Sequence, residues 1–166
     1  LSFYDAYSGN WRYNMTNVPG GTNYFDPDQG GVLKYSIANI GNSTNRNWNL
    51  IQWNQTYVIS AGKTGMSGSW GSQVRGVTYN VTTRPNHGYD LNATIPELTG
   101  SANPSILKVF PGNRIIGGSV TVSATVQRVH LWGLNLNPAK GAIGTLLFNT
   151  TWTPPSEWYE GNVTVS

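Results

Sequence analysis

The chain has 166 residues, a size suited to one domain that buries roughly two thirds of the surface its unfolded form exposes. It contains no cysteine and only two histidines, which excludes a disulfide framework and leaves little for a zinc site. Charged residues make up 10%, against about 25% in ordinary soluble domains, and the net charge of +3 is spread without any basic run, which argues against a nucleic-acid-binding stripe.

Taken in chain order, the first element is an apolar, aromatic segment, Leu1 to Tyr13, in which Leu1, Phe3 and Tyr7 alternate on one face and Trp11 and Tyr13 continue it past Gly9. A glycine-rich connection follows over residues 14–31, and residues 32–166 read as one β-domain. Period-two alternation of β-branched and aromatic residues marks its strands: Leu33, Tyr35, Ile37; Ile51, Trp53, Tyr57, Ile59; Val77, Tyr79, Val81; Tyr89, Leu91, Ala93, Ile95. Ile106 to Phe110, then Val120, Val122, Ala124, Val126, and finally Ile143 to Trp152 complete the set. With glycine and proline interrupting every apolar stripe of helical period, helix content is expected near zero. The pattern predicts an all-β fold, an antiparallel β-sandwich of immunoglobulin-like or jelly-roll type. No stretch approaches the ~20 apolar residues of a membrane span, and Leu1 opens no signal peptide, so a mature, cleaved N-terminus is expected.

Seven Asn-x-Thr sequons punctuate the chain, at Asn14, Asn42, Asn54, Asn80, Asn92, Asn149 and Asn162, none with a central proline. Random placement of the Asn and Thr present gives about two such triplets, so the excess points to N-glycosylation and an extracellular location. Phase agrees: with Tyr79 and Leu91 facing inward, Asn80, Thr82, Asn92 and Thr94 face solvent. Few carboxylates also mean a stability that depends weakly on low pH, which suits an acidic habitat.

A small extracellular protein without disulfides draws its durability from elsewhere, and contact with further copies is one source. An apolar terminal segment ahead of a flexible spacer suits donor-strand complementation, in which the strand of one subunit fills a vacant position in the next. Such a contact is heterologous and propagates head to tail. The donor candidates are Leu1, Phe3, Tyr4 and Tyr7, and Val120, Val122, Val163 and Val165 are the candidates for the receiving groove.

A cysteine-free, charge-poor, Asn/Thr-rich β-sandwich with many sequons and the segment Leu1 to Tyr13 resembles the thread filament subunits of thermoacidophilic archaea. The bundling pilins of other hyperthermophilic archaea are a neighbouring family. The resemblance implies a cell-surface filament of identical subunits serving adhesion or biofilm formation, with covalent N-linked glycans and no other cofactor.

Other chemistry is weighed on single features. Glu97 with Glu157 or Glu160 is the one carboxylate pair to nominate for glycoside hydrolysis, and surface turns account for all three. Asp26-Pro-Asp28 is a turn before it is a calcium loop, His87 a turn residue and His130 the end of a strand. A carbohydrate-binding module is the principal alternative, with Trp48, Trp70 and Trp158 as tryptophans outside the tidy alternation. The chain is therefore read as a structural protein with no catalytic or metal site.

Overall fold

The computed structural model describes residues 1–28, 30–60, 76–98, 104–122 and 127–155. Strands dominate: β1 Ser2–Tyr4, β2 Trp11–Thr16, β3 Tyr24–Phe25, β4 Val32–Asn39, β5 Trp48–Asn54, β6 Val77–Asn80, β7 Tyr89–Ile95, β8 Ser105–Phe110, β9 Arg114–Val122, β10 Gln127–Asn135 and β11 Leu146–Trp152. They form three sheets, in the orders β1-β2-β6, β3-β4-β5-β7 and β11-β10-β9-β8. Antiparallel pairing prevails, as expected for an all-β chain, but β2 and β6 run parallel, with Tyr13 opposite Val77 and Met15 opposite Tyr79. A parallel pair needs a long connection, and some sixty residues of chain separate these two strands.

The chain divides into two compact units, one comprising Leu1–Ser36 with Ile51–Asn92, the other Ile37–Leu50 with Ala93–Ser166. The divisions expected after residues 13 and 31 both fall inside the first unit. There, Tyr13 and Met15 of β2 and Tyr79 of β6 share one apolar cluster with Val32 of β4 and Trp53 of β5. Two sheets thus close over one interior in this unit.

The short helix α1, Gln55–Ser60, departs from the expectation of near-zero helix. Alternation through Ile51, Trp53, Tyr57 and Ile59 predicts a single strand, yet Asn54 stops it. Its side-chain oxygen accepts from the Thr56 and Tyr57 amides at 2.8 and 3.4 Å, the bonding of a helix N-cap. The helix then places Val58 and Ile59 in the core cluster. Gln55, also buried, accepts from the Val32 amide at 2.8 Å and donates to the Tyr13 hydroxyl.

In the second unit, β8 to β11 make a continuous antiparallel sheet with Ile115, Trp132 and Leu134 fully buried on one face. Gly117 permits this, because a Cβ there would fall inside the Trp132 indole. Strand β10 carries no clean apolar alternation, since His130 lies on its buried face and Asn135, on the opposite side at the strand's end, is buried as well. Asn135 donates to the carbonyls of Asn137, Gly141 and Ala142 at 3.0–3.1 Å and so pins the turn between β10 and β11.

Candidate functional site

The N-terminal segment is a hairpin rather than one extended strand. Asp5 breaks the alternation: its carboxylate accepts from the amides of Tyr7 (3.1 Å) and Ser8 (2.9 Å) and pairs with Arg12 across the turn, while Gly9 takes a φ of +68°. Strand β1 consequently returns onto β2, with Ser2 opposite Asn14 and Phe3 opposite Tyr13. The terminal amine and carbonyl of Leu1 bond the carbonyl and amide of Met15, each at 2.8 Å.

This placement corrects the expectation of a single free donor strand and sorts its four named residues. Phe3 packs against the core cluster, its ring stacked on Tyr13 at 4.7 Å. Leu1, Tyr4 and Tyr7 remain exposed, Tyr7 completely. Strand β1 is three residues long and lies at the sheet edge, so one half-buried ring and a few ladder bonds attach it. Arg12 is the first cause holding the Asp5 carboxyl far below the usual carboxylate range, with the Ser8 and Tyr7 donors adding to it.

Of the groove candidates, Val120 is exposed on β9 and Val122 is the last residue of that strand. Val163 and Val165 lie outside the described residues. The sequence offered no signal that β2 presents the position β1 occupies; the Asp5, Ser8, Gly9 turn chemistry was the one clue available.

The sequons fall into distinct environments. Asn42 and Asn92 are exposed, and the expected alternation of β7 is met, with Tyr89, Leu91 and Ala93 less exposed than Asp90, Asn92 and Thr94. Asn14, Asn80 and Asn149 are half-buried. The fold uses the carbonyl oxygens of three of these asparagines: Asn14 accepts from the Trp11 indole at 3.0 Å, Asn42 from the Thr44 amide at 2.9 Å, and Asn80 from the Thr82 hydroxyl at 2.8 Å.

Asn54 is different, and a glycan there does not fit the structure. The residue is buried, its oxygen caps α1, and its amide nitrogen donates to Asp90 at 2.6 Å. A glycan bonded to that nitrogen would have to enter the space Asp90 fills. Asn162 lies outside the described residues.

Strand β7 also borders an open cavity of about 550 Å³ lined by Ile51, Asn86, Tyr89, Asp90, Leu91 and Asn92. Asp90 there accepts from Gln52 at 3.0 Å as well as from Asn54. Asn86 of this lining and the adjacent His87 adopt left-handed φ angles of 48° and 50°, a tight turn that Gly88 continues, pressed against Trp53 and Val58. His87 is thus a turn residue, as its Pro-Asn-His-Gly context predicts.

The remaining candidates separate. Glu97 is exposed, and Glu157 and Glu160 lie outside the described residues, as do Trp70 and Trp158. Trp48 is buried in β5. Asp26 accepts from the Asp28 amide at 2.8 Å in a turn closed by Gly30 and Gly31. His130 lies inside β10, not at its end; it is buried, its Nδ1 is 2.8 Å from the Thr151 hydroxyl, and among the described residues its Nε2 has no hydrogen-bond partner. Among the described residues no three His, Cys, Asp or Glu side chains cluster as metal ligands would, and no helix is long and apolar enough to cross a membrane.

No protein-family model, no curated protein and no solved structure matches this chain. The class the geometry defines is an all-β chain with an edge-strand hairpin at its N-terminus.

Proposed function

We propose that the protein is the structural subunit of an extracellular, N-glycosylated filament whose copies join head to tail by exchange of the N-terminal strand, serving adhesion or biofilm formation. The observation that carries this reading is the weak attachment of β1. It is a three-residue edge strand, and Leu1 before it, Tyr4 in it and Tyr7 in the turn after it are exposed. If the Asp5–Asn10 turn straightens, the same register on β2, Ser2 against Asn14 and Phe3 against Tyr13, is available to the β1 of another copy. The intramolecular hairpin is then the closed form of the exchanged one. Straightened, ten residues span roughly 33 Å, enough to bridge two subunits.

The excess of sequons supports display at a cell surface. Glycans at Asn42 and Asn92 would project from exposed positions and shield the backbone. The test is removal of residues 1–12: native polymers seen by negative-stain microscopy should be lost. Polymers that persist without these residues would remove strand exchange from the account.

A second reading, a carbohydrate-binding module, draws on the cavity beside β7, where the Tyr89 ring stands beside Asn86, Asp90 and Asn92. It requires a monomer whose intrinsic fluorescence changes on adding a polysaccharide.

A further inference from the structure

The β8–β11 sheet has apolar side chains on both faces. One face holds Ile115, Trp132 and Leu134 in the interior. By register, the other face carries Leu131 opposite Gly118, Phe148 opposite Gly133, Val120 opposite Val129, and Trp152 opposite Val129 across the second pairing. On this outer face Leu107, Val120 and Trp152 are 61%, 67% and 49% exposed.

The surface is organised. A Cβ on Gly133 would meet the Phe148 ring, and one on Gly118 would lie 2.9 Å from Leu131 and 3.4 Å from Leu107. The side chains therefore lie over the glycines and level the face. A sheet apolar on both faces is built as an inner layer, and an apolar face is stable only against another element.

The geometry points to this outer face as a contact between two copies of the chain, packed sheet on sheet about a two-fold axis. Three observations favour a second copy. First, the exposed side chains leave on the order of 500 Å² of apolar surface, the upper end of what a lone chain shows. Four strands about 4.8 Å apart and up to nine residues long, with their rim, supply the ~800 Å² per partner of a standard interface.

Second, among the described residues of this sheet no sequon asparagine lies on this face. Asn149, the sequon of this sheet, pairs with Trp132 and belongs to the opposite side. A glycan at Asn149 would therefore leave the contact open. Third, the basic side chains of the face, Lys108 and Arg114, sit together at the β8–β9 end, Arg114 over the Phe110 ring at 5.4 Å. A two-fold axis through the middle of the sheet carries these two corners apart, so self-association brings no like charges together.

This contact does not depend on strand exchange and would join filaments side by side. The test is sedimentation of the glycosylated full-length chain over a range of concentrations, with Val120→Lys and Leu107→Lys as variants and thermal unfolding as a check on folding. The expected result is a reversible dimer, or paired polymers if strand exchange also operates, weakened at least tenfold in each variant. Both substitutions are at exposed positions, so unchanged melting is expected. A wild-type chain that shows no such pairing at any concentration overturns the proposal. So does association equally strong in both variants, or a face that binds phosphatidylglycerol vesicles or a soluble polysaccharide and loses that binding, rather than self-association, on Val120→Lys. Removal of residues 1–12 should abolish head-to-tail growth and leave this contact intact, which separates the two failures.

Discussion

Phe3 lies stacked on Tyr13, their ring planes 21° apart, and Tyr13 in turn meets Tyr79 edge-on at 5.6 Å. This short aromatic series couples the terminal strand to the parallel pair β2–β6, and Phe3 is, among the described residues, the side-chain anchor of β1 in the core. Phe3→Ala should therefore loosen β1 at a cost of about 1–2 kcal/mol, below the 3–5 of a fully buried phenylalanine. Hydrogen exchange at the Met15 amide checks this, because that amide bonds to Leu1.

Asp5 gives the hairpin a definite pH response. Its carboxyl is held well below the ordinary value of 3.8 by Arg12 first and the turn amides second. A depressed folded value means that the carboxylate's contribution is complete above about pH 4, declines as pH falls below that, and is gone once the folded-state group is protonated. The hairpin should thus stay closed in moderately acidic solution and open only in strong acid. In Asp5→Asn, Met15 amide protection should be lower at neutral pH and should no longer change across that acid range.

Asn54 is predicted to be unmodified although it heads a sequon. Glycopeptide mass spectrometry should find Asn42 and Asn92 occupied and Asn54 bare. Asn54→Ala should cost about 1–2 kcal/mol because it removes the α1 cap, and it also takes away a hydrogen-bond donor to Asp90. At a surface glycan acceptor the same change would leave stability nearly unaltered.

Gly117 faces the Trp132 indole so closely that Gly117→Ala requires the ring or the strand to move. Destabilisation of about 1–3 kcal/mol is expected, read from chemical unfolding. Gly112, a turn glycine with a φ of +67° and open space around its Cα, should tolerate alanine for a smaller cost.

The fold class was legible because its signal is repetitive. Strand β7 follows the alternation of Tyr89, Leu91, Ala93 and Ile95 residue for residue. What escaped reading were places where one polar residue redirects the chain. Asn54 ends a strand by capping a helix, and Asp5 folds an apparently continuous apolar segment into a hairpin. In β10, buried polar residues interrupt the apolar pattern: His130 faces the interior beside Trp132 and Leu134, and Asn135 is buried on the other side of the strand. Pattern reading assigns polar residues to solvent, and here local hydrogen bonds hold them inside. The parallel partnership of β2 and β6 is a long-range choice that neither strand's own sequence encodes.

Strand exchange can be tested with the cysteine-free background as an asset. Ser2 and Asn14 face each other across β1 and β2, next to the bonded pair Leu1 and Met15, at a spacing suited to a disulfide. The variant Ser2→Cys with Asn14→Cys, assembled natively and oxidised, should run on non-reducing SDS gels as a ladder of linked subunits that collapses on reduction. Asn14→Gln alone controls for the missing glycan. A single monomer band with the disulfide closed inside each chain would show that β1 stays at home and would contradict the account.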